Sequence, residues 1–554
     1  MSRLITEVIK EALENVMNDH YLESSDGIIF TVEPTREKDH GDFATNIAFL
    51  LSKKLRQSPR DLAAQITSHL KPLLEDIADI EIAGGGFINF FLDDRVIFSF
   101  MQDIFKENED YGSVNLGKGE KFQVEFVSVN PTGPLHVGHG KCAAFGDALA
   151  RILKKAGFAV EKEYYINDAG RQIDMLGLTL EARYRELLGE TMEIPEGGYK
   201  GEYMIDIARD LKNERGDRLL ELPEPEKTSL FKSYAVQKIL ASIQNDLRDF
   251  RVSFDVWFSE KTLYQNEEVQ KALNLLIDHG FTYEKDGALW LKTQDWGDDK
   301  DRVLIRENGA PTYFASDIAY HFNKWQRGFR RVIDIWGADH HGYIPRMRAA
   351  VNSLGLPEDF LEIFIVQFVT LLRKGQPERM STRQGEFIPL RNLIDEVGVD
   401  VARYYFIMRD PATHLEFDIE EAKKTSMDNP VYYIQYAYAR ISSVFREMEK
   451  KGLSKLNTSQ VIHSFINEDE KFLAKNLIYF PEVVKRAAIA RQPYMVCNYL
   501  MDVAGSFHTF YNNNRILDEE NPGITSLRLK LCDATRWVIH NALDLLGISA
   551  PETM

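Results

Sequence analysis

Only three cysteines occur in 554 residues: Cys142, Cys497 and Cys532. No two of them form a CxxC pair, which excludes a disulfide framework and a cysteine-built zinc finger. Such scarcity points to a reducing, cytoplasmic compartment. Long apolar runs are missing, so no membrane span is expected. The opening MSRLITEVIKEALENV lacks a signal-peptide core. Basic residues are in deficit, with 67 Lys and Arg against 85 Asp and Glu, a net charge of −18. A uniformly basic nucleic-acid binder, such as a DNA-coating protein, is thereby excluded. A local basic groove on an acidic body is not. There are no long repeats and no low-complexity tracts. What is present, 44% hydrophobic and 27% charged residues, has the balance of a globular chain. Its length asks for three or four domains.

The chain divides into stretches. In residues 1–112, Leu4, Ile5, Val8, Ile9, Ala12, Leu13 and Val16 make one helical stripe, and Leu62, Ile66 and Leu70 another. IEIAGGGFINFFL then reads as strands around Gly84–Gly86, giving a small α+β domain. A second region is expected over 113–425. KFQVEFVSV (121–129) reads as a strand stopped by Asn130-Pro131-Thr132-Gly133-Pro134. A helix up to Gly157 and a strand from Val160 follow, a βαβ unit that predicts a parallel sheet. Residues from about 180 to 300 read as a charged, mostly helical insertion, and β-like runs return from Val303. From 426 to 554 the pattern is helical.

Two short motifs carry chemistry. His136-Val137-Gly138-His139 lies at the turn from the first strand into its helix. There backbone N–H groups and the positive helix end suit a triphosphate. Gly138 lets a base approach the backbone, and the two imidazoles can donate to phosphate oxygens. Far downstream, Arg379-Met380-Ser381-Thr382-Arg383 follows the turn Lys374-Gly375-Gln376-Pro377. A basic loop there can close on a triphosphate. In this order the pair resembles the HIGH and KMSKS signatures of class I aminoacyl-tRNA synthetases. The chain is further similar to the arginyl-tRNA synthetase family in several segments: EFVSVNPTGPLHVGHGK (125–141), EYYINDAGRQI (163–173), Lys200-Gly201-Glu202-Tyr203, GDDKDRVLIREN (297–308), PTYFASDIAYH (311–321), GADHHGY (337–343) and DNPVYYIQYAYARI (428–441).

The resemblance implies a Rossmann-type α/β catalytic domain, an α+β N-terminal domain that contacts tRNA, and an all-α anticodon-binding domain. It implies an arginine–tRNA ligase that uses ATP, with Mg²⁺ carried on the ATP and no structural metal. The partners are then L-arginine and tRNA(Arg), in a monomer that needs tRNA before it activates arginine. Arginine presents five donors and no acceptor, so its pocket needs carboxylates. The resemblance places Tyr313 and Asp317 at the guanidinium, and Glu125, Ser128, Asn130 and His136 around the rest of the amino acid. It places Gly138, His139, Gly337, Asp339 and Met380 at ATP. His136, His139, Arg379, Ser381 and Arg383 are implied at the reacting phosphates. Tyr432, Gln435 and Arg440 are expected at the anticodon, and Phe87 and Asn89 at the tRNA elbow. One departure stands out: the family's loop lysine is here Thr382, and Lys141, ahead of Arg383, Arg379 and Lys374, is expected to supply the missing charge. Thr382 also keeps open a tRNA-binding relative that no longer charges tRNA. A third possibility is a nucleotidyl-transfer enzyme that uses no tRNA.

Overall fold

The computed structural model describes residues 2, 4–25, 28–35, 40–190, 192–378, 388–452 and 464–554. The first apolar stripe becomes the buried side of α1 (Ile5–Ser25). With α2 (Ile47–Leu55) and α3 (Pro59–Leu74), it packs on an antiparallel sheet made of β1 (Val32–Pro34), β2 (Phe43–Thr45), β3 (Ala78–Ala83) and β4 (Phe87–Leu92) in the order β1-β2-β4-β3. The triple glycine is the β3–β4 turn. Gly86 has φ 139°, and a Cβ there would lie 2.8 Å from the Pro59 carbonyl. Helix α4 (Asp94–Glu107), capped by Asp93, completes this unit.

The second region begins with β5 (Lys121–Glu125), α5 (Val137–Lys155) and β6 (Ala159–Ile166), the expected βαβ unit. Helices α6 (Arg171–Leu187), α7 (Glu202–Arg215) and α8 (Glu224–Asp249) lead to β7 (Val256–Ser259). After α9 (Lys261–Gln265) and α10 (Glu268–Asp278), an antiparallel ribbon forms from β8 (Thr282–Lys285), β9 (Ala288–Leu291) and β10 (Arg302–Ile305). Helix α11 (Tyr313–Gln326), strand β11 (Arg331–Gly337), helix α12 (Ile344–Ser353) and strand β12 (Leu361–Val366) return to the main sheet. Its order is β12-β11-β5-β6-β7, all parallel. The chain winds one way from β5 to β6 and the other way to β11. The carboxyl ends of β5 and β11 are therefore the switch point where ligands bind.

Three details differ from the sequence expectation. Strand β5 stops at Glu125 rather than Val129, because Val127 (φ 68°) and Ser128 (φ 39°) turn the chain. The VLI of VLIREN belongs to the separate ribbon, not to the main sheet. The stretch 180–300 is not one insertion, since β7 inside it forms the edge of the parallel sheet.

Beyond β12 lies a small sheet of β13 (Val369–Arg373), β14 (Gln376–Pro377) and β15 (Leu415–Asp418). Helices α13 (Leu390–Val397), α14 (Val399–Ile407) and α15 (Ile419–Ala422) surround it. The remainder is the helical bundle α16 (Pro430–Lys450), α17 (Glu468–Ile478), α18 (Phe480–Ala490), α19 (Tyr494–Asn513) and α20 (Pro522–Leu545). The bundle is tied to the parallel-sheet region through the fully buried Arg403. Its guanidinium donates to Asp147 at 2.7 Å and to the carbonyl of Leu546 at 2.8 Å. The N-terminal unit rests on the same bundle through Thr6–Glu482 (2.8 Å) and Lys471–Asp94 (2.7 Å).

Candidate active site

The His136 turn caps its own helix. The Nδ1 of His136 accepts from the N–H of Gly138 (3.1 Å) and of His139 (3.4 Å), while the Nδ1 of His139 accepts from the N–H of His136 (3.2 Å). This reciprocal box fixes both rings, which stack with centroids 3.4 Å apart. It also fixes the tautomer, since an accepting Nδ1 leaves the ring proton on Nε2. Burial lowers the pKa of His136 to about 4, against an opposing pull from Asp339. Burial and His136 itself hold His139 well below the usual range. Both imidazoles are thus neutral donors through Nε2–H. Gly138 is fitted to this packing, because a Cβ would lie 3.0 Å from the His136 ring.

On the neighbouring strand, Gly337 ends β11 and Asp339 follows it in a 3-10 turn spanning Ala338–Tyr343. A Cβ on Gly337 would meet Asp339 Oδ1 at 2.6 Å, so glycine is what lets this carboxylate fold back over the strand end. Asp339 remains largely exposed beside His340.

Helix α11 starts at the cap Thr312 and sets Tyr313 and Asp317 on one face, as their four-residue spacing predicts. Both line a cavity of about 220 Å³ with Tyr165, Asn167, Gln172 and Glu260. The motifs did not single out Glu260. It directly follows β7, is buried, and stands against Asp317. Burial, with repulsion from Asp317, pushes its carboxyl up to about 7. Burial also raises Asp317, against the lowering effect of the Tyr343 hydroxyl bonded to it. Two acids facing one small polar cavity form a site for a cation with several donors. A cleft of about 870 Å³ adjoins it. The cleft shares Gln172, Glu260 and Tyr313 with the small cavity and adds Arg171, Tyr199, Tyr264 and Arg306.

The other residues expected at the amino acid are near but differently engaged. Asn130 donates to Gln172, a wall residue, at 2.6 Å. Ser128 Oγ accepts from the N–H of Tyr165 at 3.1 Å, pinning another wall residue. Glu125 corrects the expectation: it is buried below the cavity and accepts from Lys324 at 2.6 Å. Lys324 also holds Asp334 at 2.9 Å, and Asp334 meets His321 at 2.8 Å. This charged floor supports α11 against β5 and β11.

Lys141 is a second correction. Its ammonium is buried and donates to the carbonyls of Gln367 (3.1 Å), Pro411 (3.1 Å) and Thr413 (2.9 Å). Three carbonyls use all three donors, so it ties α5 to the base of the β13–β15 sheet rather than facing a triphosphate. Burial lowers its pKa to about 8. Lys141→Met should speed amide hydrogen exchange at 367–369 and 412–415 by tenfold or more, with arginine affinity within twofold. Unchanged exchange would remove this tether. Arg379, Met380, Ser381, Thr382 and Arg383 lie outside the described residues.

At the expected tRNA contacts, Phe87 is exposed and packs on Phe49 (centroids 4.8 Å). Asn89 is buried in β4 between Ala44 and Glu81 and offers nothing at the surface, a third correction. Tyr432 and Tyr436 stack on one side of α16. Arg440 lies between the rings of Tyr436 (4.7 Å) and Tyr511 (4.6 Å). Gln435 points the other way. Buried, it donates to Asp400 and to the Ser549 carbonyl, each at 2.9 Å, which corrects its assignment to the anticodon.

Comparison with known proteins agrees with this geometry. Residues 101–441 match "tRNA synthetases class I (R), catalytic domain", residues 3–92 match "Arginyl tRNA synthetase N terminal domain", and residues 434–554 match "DALR anticodon binding domain". The His-x-Gly-His turn at the switch point of a parallel sheet is thus that of a class I aminoacyl-tRNA synthetase. The chain is 48% identical to an arginine–tRNA ligase of Syntrophotalea carbinolica, over 100% of both chains. It is 47% identical to one of Listeria monocytogenes, over 99% of this chain and 98% of that one. A solved structure titled a putative arginyl-tRNA synthetase, from Campylobacter jejuni, superposes with a TM-score of 0.77. The two are 38% identical over 84% of this chain and 100% of that one. The arginyl-tRNA synthetase of Thermus thermophilus, 24% identical over 100% of both chains, shares the fold with the same TM-score. The chain belongs to the arginyl-tRNA synthetase family.

Proposed function

We infer that this chain joins arginine to the 3′ end of tRNA(Arg) at the expense of ATP, through an arginyl-adenylate. The observation that carries the reading is the cavity between Asp317 and Glu260. A guanidinium fits two facing carboxylates, and Tyr313 and Asn167 complete a polar ring around it. The arginine carboxylate then points toward the His136 turn. There it attacks the α-phosphorus of ATP in line, and pyrophosphate leaves. No covalent enzyme intermediate is needed, because positioning and charge stabilisation suffice. Nε2–H of His136 and of His139 donate to phosphate oxygens as negative charge builds. Gly138 and Met380 flank the base, and Asp339, beside Gly337, accepts from the ribose hydroxyls. Arg379, Ser381 and Arg383 contact the leaving pyrophosphate, and magnesium arrives bound to ATP oxygens and water. Ser128, Asn130 and Glu125 act by fixing the walls and floor of the pocket.

The larger cleft receives the terminal nucleotides of the tRNA. Its tyrosines offer stacking faces, and Arg171 and Arg306 offer phosphate contacts. A terminal ribose hydroxyl there attacks the activated carbonyl and releases AMP. Tyr313, Gln172 and Glu260 belong to both cavities, so an occupied cleft bears directly on the arginine pocket. This supports activation that depends on tRNA. Tyr432 and Arg440 contact the anticodon and Phe87 the tRNA elbow, with the chain dividing near residues 112 and 425. The enzyme works as a cytoplasmic monomer.

ATP–pyrophosphate exchange with arginine should appear only when tRNA(Arg) is added. Exchange without tRNA would discard the dependence, and none in either case would discard the ligase reading. Arginine binding should also follow Glu260. Its carboxyl, at about 7 in the free enzyme, must lose its proton to pair with a guanidinium. Affinity then rises about tenfold per pH unit below 7 and levels off above it. Titration calorimetry at pH 6, in buffers of different ionisation enthalpy, should show proton release on binding. A pH-independent dissociation constant from 5.5 to 8 would contradict the pairing.

A further inference from the structure

Asp317 does not face the cavity unaided. Its Oδ2 accepts from the hydroxyl of Tyr343. Tyr343 lines neither cavity. It is the last residue of the 3-10 turn that follows β11 and carries Asp339. Its ring is held by Trp336 (centroids 5.9 Å) and Phe314 (6.2 Å), and the Arg346 guanidinium lies over it at 4.8 Å. The backbone of Asp317 is held separately, since its carbonyl meets Nδ1 of His321 at 2.7 Å. The main chain is therefore held by a side chain of its own helix, itself bonded to Asp334 of β11 at 2.8 Å, and the carboxylate by the turn that follows β11.

A carboxylate opposite a second acid needs such restraint. The Asp side chain turns freely about its last torsion, and Glu260 repels it until a guanidinium arrives. A fork of two N–H donors requires the carboxylate plane at one angle only. A single donor on Oδ2 selects that plane and leaves Oδ1 and the second Oδ2 lone pair for the substrate.

We propose that Tyr343 is a positioning residue for arginine recognition: its hydroxyl sets the plane of the Asp317 carboxylate. The turn beside the ATP site thereby shapes the guanidinium pocket. The inference rests on the placement of arginine between Asp317 and Glu260.

The test is Tyr343→Phe, which keeps the ring among Trp336, Phe314 and Arg346 and removes only the hydroxyl. In aminoacylation assays the KM for arginine should rise about tenfold or more, while kcat and the KM for ATP stay within threefold. General disruption of the turn would move the ATP constant as well, and that result would overturn the proposal. So would an arginine KM within twofold of the parent. A double-variant cycle separates this inference from the reading beneath it. With Asp317→Asn already in place, Tyr343→Phe should change kcat/KM for arginine by less than twofold. The full tenfold loss in that background would show that Tyr343 acts elsewhere. If Asp317→Asn alone leaves the arginine KM unchanged, the pocket reading itself falls.

Discussion

Replacing Asp317 by asparagine will lower kcat/KM for arginine by about a hundred- to a thousandfold. Truncating one partner of a desolvated, hydrogen-bonded charge pair costs about 2–5 kcal/mol or more. The amide keeps the shape of the carboxylate, so packing on α11 is preserved. What changes is chemistry. The fork of a guanidinium meets one acceptor and one NH₂ donor instead of two acceptors, and the cavity loses one of its two acids. The loss should fall on arginine. Affinity for tRNA and the far-ultraviolet circular dichroism should match the parent, and initial-rate kinetics with varied arginine will show it. Unchanged arginine kinetics would remove Asp317 from the pocket.

Lys324→Met will destabilise the catalytic region by about 3–5 kcal/mol. The ammonium is wholly buried between Glu125 (2.6 Å) and Asp334 (2.9 Å), and it lies 4.3 Å from the centre of the Tyr320 ring. Methionine fills a similar volume, so no cavity forms. Two buried carboxylates are left instead, without the cation that offsets their desolvation. The sign with pH follows. In the parent, Lys324 and His321 hold Asp334 well below the usual range, while burial raises Glu125. Without Lys324 both acids titrate higher than in the parent, because the cation that favours their charged form is gone. The variant's deficit should therefore be small near pH 4–5 and grow as pH rises toward 7. Urea unfolding at several pH values reads this directly. A deficit below about 1 kcal/mol at pH 7 would show that the floor carries little stability.

Much of this arrangement was legible in the sequence, and the misses share a cause. The βαβ unit, the helical stripes of the N-terminal unit and the triple-glycine turn follow local periodicity, and the fold keeps them. Tyr313 and Asp317 were placed at the guanidinium by the family resemblance, and their four-residue spacing on a helix added only that they share a face. Glu260 was not found, because β7 is only four residues long and half-buried. FSEK carries no motif, and its partners Asn167 and Asp317 are far away in sequence. Lys141, Asn89 and Gln435 misled in the opposite direction. Each is a polar residue beside a motif or in a strand or helix expected at tRNA, and each turns inward: Lys141 and Gln435 satisfy buried polar groups, and Asn89 is buried within β4. Local pattern cannot tell a donor facing a ligand from a donor facing three carbonyls. That distinction depends on segments such as 367 and 411–413 that only the tertiary fold brings to α5.

The central claim is that two facing carboxylates, Asp317 and Glu260, select the charge of the guanidinium. Titration calorimetry of the unmodified enzyme at pH 7.5 with arginine and with citrulline, its uncharged near-isostere, tests it most directly. Arginine should bind at least a hundredfold more tightly than citrulline, since citrulline offers a carbonyl oxygen to one of the acids. Citrulline binding within tenfold of arginine would contradict the account.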